Sequence, residues 1–105
     1  MSEETRTLGR FADPAILVLA SLAERPRHGY AITRDVRAFA GVSLGPGTLY
    51  GAIARLEGRG LIEAVDSDDR RRPYRLTGAG RASLESQLSM LERLTSAALD
   101  RLAAV

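Results

Sequence analysis

The chain has 105 residues, carries 15 basic and 13 acidic side chains for a net charge of +2, and contains no cysteine. That length suits one domain with a thin core, since a chain of this size buries only roughly 65% of its unfolded surface; association with a second copy is a common remedy. The lack of cysteine excludes disulfides, thiolate metal sites and cysteine nucleophiles.

The hydrophobic share of 45% and the charged share of 27% are those of an ordinary globular protein. The opening "MSEETRTLGRF" is polar and carries early acids, which is not the pattern of a secretory signal. The longest apolar run, Ala15–Ala20, is too short to span a bilayer, so a cytoplasmic location and no membrane partner are expected. All 15 basic residues are arginine, and the isoelectric point is about 9.7. Arginine suits bidentate contacts to phosphate and guanine, although a compositional bias of the genome explains the same excess. Local clustering is therefore more informative than the total.

In chain order, residues 1–12 read as a loose arm in which Leu8 and Phe11 have nothing to fix them. Asp13-Pro14 marks a helix start, with aspartate as N-cap and proline at the first helical position. This first helix runs to about Glu24 and is apolar on nearly every side, so it is expected in the core or partly against a second subunit. "RPRHG" breaks it. A second helix over Gly29–Ala40 places Tyr30, Ile32 or Thr33, Val36 and Phe39 or Ala40 at helical spacing, with Arg34 and Arg37 on the other side, and Gly41 ends it. A third helix starts at Pro46, runs to Arg59 and is stopped by Gly60. "LIEAV" over Leu61–Val65 alternates like a strand, "DSDDRRR" is a polar hairpin tip, and Pro73–Leu76 returns as a second strand. Thr77 then caps a long last helix to about Leu102. No internal repeat or linker divides the chain. The fold class is mainly α with a small β-hairpin.

The third helix has an unusual outer face. Leu49, Ile53 and Leu56 share one side of the helical wheel and must be core. The opposite side holds Gly47, Gly51, Ala54 and Gly58, flanked by Thr48 and Arg55 on one edge and Tyr50 on the other. Glycine inside a helix costs roughly 0.5–1 kcal/mol relative to alanine. A helix bare on its outer face can approach another surface closely, and the major groove of DNA, about 12 Å wide, admits one α-helix. The small residues would let the backbone sink in, Thr48, Tyr50 and Arg55 would reach bases or phosphates, and the helix N-terminus favours a phosphate. Close packing on another protein helix, or glycine merely tolerated, accounts for the same face.

The hairpin that follows favours the DNA reading. Arg70, Arg71, Arg72 and Arg75 stand against Asp66, Asp68 and Asp69. A charge run is usually a solvated turn, but three adjacent arginines at a hairpin tip directly after a candidate recognition helix are suited to neutralising phosphates or entering the minor groove. "DSDD" lacks the glycine and terminal glutamate of a calcium loop.

Pro26-x-His28-Gly29-Tyr30, Pro46-Gly47-Thr48-Leu49-Tyr50, "RLEGRGLI" and "RRRPYRLTGAGR", in this order between Pro14 and Arg81, resemble the PadR family of bacterial transcriptional regulators. The resemblance implies a winged helix-turn-helix over residues 13–77 and, within the same structural domain, a C-terminal dimerisation helix over 78–105, as in the small subgroup. It implies a dimeric protein that usually acts as a repressor on double-stranded DNA. Ala31 stands where the family often has glutamate, Gly51 where proline is frequent, and "DDRRRP" where a glycine-arginine-proline stretch is more usual. These departures bear on operator sequence and wing contacts.

Among the remaining residues, His28 is the single histidine, so no histidine cluster exists for a metal or a triad, and no cofactor is expected. It is expected to cap the second helix, with a phosphate contact as the alternative. Tyr30 is read as core or interhelical packing with a phosphate contact as the alternative, Tyr50 as either a phosphate contact or packing, and Tyr74 as structural. With no tryptophan and 5% aromatic residues, no aromatic stacking pocket is expected. The last helix places Leu84, Leu88, Leu91, Thr95, Ala98 and Leu102 in a heptad-like seam, widened by Met90, Leu94 and Leu99. Together with Leu17 of the first helix, this seam is the expected homodimer interface; packing on the domain's own core is the alternative for one side of it. Two recognition helices roughly 34 Å apart would read an inverted repeat. By resemblance, a small-molecule effector of unknown identity could release the DNA by changing the angle between subunits. A winged helix that binds only protein is the competing reading. An enzyme is not expected, since no nucleophile–base pair, metal set or phosphate loop is present.

Overall fold

The structure is a computed structural model that describes residues 13–66 and 70–104. The arm over 1–12, with Leu8 and Phe11, and Asp68 and Asp69 of the hairpin tip lie outside the described residues. Three helices come first: α1 over Pro14–Glu24, α2 over Gly29–Ala40 and α3 over Pro46–Gly58. A two-stranded antiparallel hairpin follows, β1 over Ile62–Ala64 and β2 over Tyr74–Leu76, and then α4 over Gly78–Ala103. This is the helix-turn-helix and wing expected from the sequence, within a residue or two at each boundary.

The helix ends form where their chemistry directs. Asp13 accepts a hydrogen bond from the Ala15 backbone N–H at 2.9 Å, and Pro14 fills the first helical position. His28 caps α2 as expected, its Nδ1 accepting from the Ala31 N–H at 3.3 Å. Gly41 ends α2 at φ +68°, a conformation that costs glycine nothing. At the end of α3 the Gly60 N–H donates to the Glu57 carbonyl and the Leu61 N–H to the Leu56 carbonyl, at 3.0 and 2.9 Å, with Gly60 at φ +73°. This pair of bonds is a Schellman motif, and it turns the chain directly into β1. Thr77 caps α4, its Oγ1 accepting from the Gly80 N–H at 3.0 Å while its hydroxyl donates to the Gly60 carbonyl.

α1 is the central element and packs against α2, α3, α4 and β2. Val18, Leu19 and Leu22 of α1 meet Ile32 and Val36 of α2, Leu49, Ala52, Ile53 and Leu56 of α3, Ile62 of β1 and Leu84 of α4 in one core. In the hairpin, Ile62 pairs with Leu76, Glu63 with Arg75 and Ala64 with Tyr74. Three pairs make a short ribbon, and an isolated hairpin of that size is marginal in water. Support comes from the turn after α1: the Arg27 N–H donates to the Tyr74 carbonyl at 3.0 Å, and the Tyr74 N–H donates to the Arg27 carbonyl at 2.9 Å. "RPRHG" is therefore both a helix break and a third strand one residue long.

Two expectations for the core need correction. Tyr30 does not pack between helices; it is 65% exposed. The inner face of α2 is Gly29, Ile32 and Val36, so Gly29 rather than Tyr30 starts the buried row, and Phe39 and Ala40 are also exposed. Leu84 lies in the protomer's own core at 6% exposure, because the first turns of α4 pack against α1 and β2. The seam open to a second subunit therefore begins at Leu88.

From Leu88 to Ala103 every residue of α4 is exposed. At 26 residues α4 is about 39 Å long, and it draws the molecule out to 57 × 32 × 20 Å. Its outer part carries Leu88, Met90, Leu91, Leu94, Leu99 and Leu102, each at least 42% exposed. Leu17, on α1, is half-buried against the core. No described helix is long and apolar enough to cross a membrane.

Candidate nucleic-acid interface

The outer face of α3 is open. Gly47, Thr48, Tyr50, Gly51, Ala54 and Arg55 are all exposed, whereas Leu49, Ala52, Ile53 and Leu56 are buried. A Cβ placed on Gly47, Gly51 or Gly58 would have nothing within 4 Å. The glycines of α3 thus admit no close neighbour within the protomer, and the bare face is presented outward. Gly45, the N-cap, offers no side chain to the first-turn N–H groups, which leaves that helix end suited to an external acceptor.

The wing stands beside this helix. Arg70, Arg71 and Arg72 are exposed, and they line one concave groove of about 350 Å³ together with His28, Gly29, Tyr30, Tyr50 and Tyr74. Tyr50 joins the two parts: it rises from the second turn of α3, and its ring lies against the backbone of Gly29, where an added Cβ would sit 2.7 Å from the phenol oxygen. A side chain at position 29 would push this ring away. A second groove of about 390 Å³ continues past Tyr30 along α2 and is lined by Arg27, His28, Tyr30, Ala31, Arg34, Asp35 and Arg71. Its outer wall includes Arg34, whose guanidinium lies 5.9 Å from the centre of the Tyr30 ring, within range of a cation–π contact.

The sequence reading missed this convergence. All three tyrosines of the chain share the groove with the three wing arginines, although the low aromatic content argued against any aromatic pocket. The available signal was the pair of His28-Gly29-Tyr30 and Thr48-Leu49-Tyr50 segments, which each place an aromatic ring near the start of a helix. Arg75, counted with the wing arginines, is engaged differently: its Nε donates to Glu63 Oε1 at 2.8 Å across the hairpin. Arg37 and Arg55 are exposed on the last turns of α2 and α3.

The resulting surface runs from the bare face of α3 across Tyr50 to the wing and back along Arg34. It is cationic and rich in phenol hydroxyls, and it is continuous with the one helix whose outer side carries almost no side-chain bulk. Among the described residues no group of three His, Asp or Glu side chains could hold a metal ion.

Residues 18–86 match the Transcriptional regulator PadR-like family. A Mycobacterium tuberculosis protein named transcriptional regulator Rv3488 is 38% identical over 80 residues, covering 73% of this chain and 74% of that protein. An uncharacterised 37.1 kDa protein of the Streptomyces fradiae transposon TN4556 is 45% identical over 86 residues, 82% of this chain; the chain spans 25% of that protein's length. Among solved structures, a PadR family transcription regulator from hypervirulent Clostridium difficile has a TM-score of 0.78 and 27% identity, covering 87% of this chain and 99% of that one. The motifs of the wing and of the first turns of α2 and α3 thus fall inside the matched region, and the chain belongs to the PadR-like family of transcriptional regulators.

Proposed function

We propose that this protein is a homodimeric, sequence-specific DNA-binding repressor that reads an inverted-repeat operator and is released by a small-molecule effector. The observation that carries the reading is the junction at Tyr50, where the bare outer face of α3 and the wing arginines Arg70–Arg72 become one surface. In this reading α3 enters the major groove, Thr48, Gly51 and Arg55 meet base edges, and Gly47, Tyr50 and the wing contact the backbone.

Dimerisation is supported by the outer part of α4. A lone helix of that length is marginal in water, and its row of exposed leucines gains stability only by burial. A second copy pairing along Leu88, Leu91, Ala98 and Leu102, with Leu17 nearby, provides that burial through a two-fold interface. Two-fold symmetry then dictates an inverted repeat, with half-sites about one helical turn apart. Repression follows if the bound dimer occludes the polymerase. An effector acts by favouring a subunit angle at which the two α3 helices no longer match the half-sites.

The test is a mobility shift on the DNA upstream of the protein's own gene, with scrambled DNA as competitor, across a salt series. Contact with roughly 6–8 phosphates per dimer gives a log–log slope near −5 to −7. Specific, salt-steep binding by two chains per site is the expected result. Early elution from heparin and no specific shift would instead favour a winged helix that binds protein.

A further inference from the structure

Arginine is seldom buried without a partner, yet the Arg27 side chain is only 11% exposed. Its Nε donates to the Ser21 carbonyl oxygen at 3.2 Å. One terminal nitrogen donates to Glu24 Oε2 at 2.6 Å and lies 3.5 Å from Asp35 Oδ1. The other Asp35 oxygen accepts from the Ser21 hydroxyl at 2.8 Å, and Ser21 is itself buried at 1% exposure. A single guanidinium thus ties the last turn of α1 to the middle of α2. The backbone of the same residue makes both hydrogen bonds that fasten β2 to the body of the domain.

These two sets of contacts have a joint consequence. The hairpin has three residue pairs of its own, and Tyr74, its anchored residue, follows Arg72 by two positions. Beside the packing of β2 on α1 and α4, Arg27 thus supplies the backbone pairing that holds the wing's return strand. The guanidinium fixes Arg27 relative to α1 and α2, and the peptide groups of Arg27 fix β2. If the side chain loses its grip, the turn is free to shift and the wing arginines shift with it relative to Tyr50 and α3.

We propose that Arg27 is the positioning residue of the wing, a clamp held by Asp35, Ser21 and Glu24 that aligns Arg70–Arg72 with the recognition helix without itself touching DNA. Its Nε and one terminal nitrogen are committed to Ser21, Glu24 and Asp35 of the same protomer. Asp35 is the other half of the device, and it acts on DNA binding in a sense opposite to its charge.

That inversion makes the test sharp. Asp35→Asn removes a negative charge near the groove, so simple electrostatics predicts tighter DNA binding. A clamp predicts weaker binding, with a salt slope shallower by about 1–2, equivalent to one fewer phosphate neutralised by each protomer. A second readout needs no DNA: amide exchange at Tyr74, whose N–H is held by the Arg27 carbonyl. In Asp35→Asn and in Arg27→Met, Tyr74 protection should fall about tenfold while the amides of α3 keep theirs. Melting curves identify any variant that unfolds as a whole, and Arg27→Lys, which keeps the charge and loses the planar fork, should fall between wild type and Arg27→Met. Tighter DNA binding by Asp35→Asn at an unchanged slope would overturn the proposal, as would unchanged Tyr74 protection in Arg27→Met. The inference rests on the DNA-binding reading only in its first readout. If the wild-type protein binds no DNA, that reading fails, and amide exchange still decides whether the clamp exists.

Discussion

Gly51 separates stability from function in one position. It lies in the middle of α3, is exposed, and has no atom within 4 Å of the place where a Cβ would be. Gly51→Ala therefore removes backbone freedom from the unfolded chain and creates no clash, which should stabilise the fold by about 0.5–1 kcal/mol. For a domain of this size that corresponds to a melting point higher by roughly 2–8 °C. Gly51→Leu should gain a similar amount, because leucine is also a good helix former. DNA binding should move the other way. If the backbone of α3 sinks into the major groove at this point, a leucine side chain has to be accommodated by withdrawing the helix, a misfit of about 1–3 kcal/mol by analogy with overpacked cores. Affinity would then fall roughly 5- to 150-fold. The assay pairs thermal melting at fixed protein concentration, since a dimer's melting point depends on concentration, with mobility shifts on the operator. Unchanged affinity in a Gly51→Leu protein that melts higher than wild type would refute the assignment of this face to DNA. A lower melting point would refute the claim that the face is open.

Other outcomes follow from the same geometry. Gly80→Ala should behave in the opposite way to Gly51→Ala, because its Cβ would collide with the Leu61 carbonyl and press on Leu76; a melting point at or above wild type would show that the start of α4 does not lie against Leu61 and β2 as described. Replacing Arg70, Arg71 and Arg72 together by alanine should weaken binding across all DNA sequences and reduce the salt slope by about 0.9 for each phosphate no longer neutralised. Equal binding by this variant in a salt series would remove the wing from the interface. Leu94→Glu places a charge on the outer part of α4, where the leucine is 63% exposed in the protomer. Sedimentation should show a shift toward monomer with the secondary structure of residues 13–77 retained, and an unchanged oligomeric state would assign the leucine row to some other partner.

Much of the fold is local chemistry and was legible in the sequence. Asp13-Pro14, His28, Gly41, Gly60 and Thr77 act on groups within a few residues, so their roles at helix ends follow from identity and order alone. The Leu49, Ile53 and Leu56 row makes one side of α3 core whatever it packs against, and its glycine face is bare for the same reason. Three adjacent arginines between two short strands mark the wing. What the sequence could not determine depends on how the elements cross. Tyr30 and Gly29 are neighbours, and the packing of Ile32 and Val36 in the core turns the glycine inward and leaves the phenol exposed. Arg27 and Tyr74 are far apart in the chain; their pairing, and the burial of Arg27 against Ser21 and Asp35, exist because α1 directs the turn along β2. The tyrosine–arginine groove is likewise assembled from α2, α3 and the wing. Periodicity describes the faces of one element at a time, whereas a site shared by three elements is defined by the angles between them, and packing of the core sets those angles.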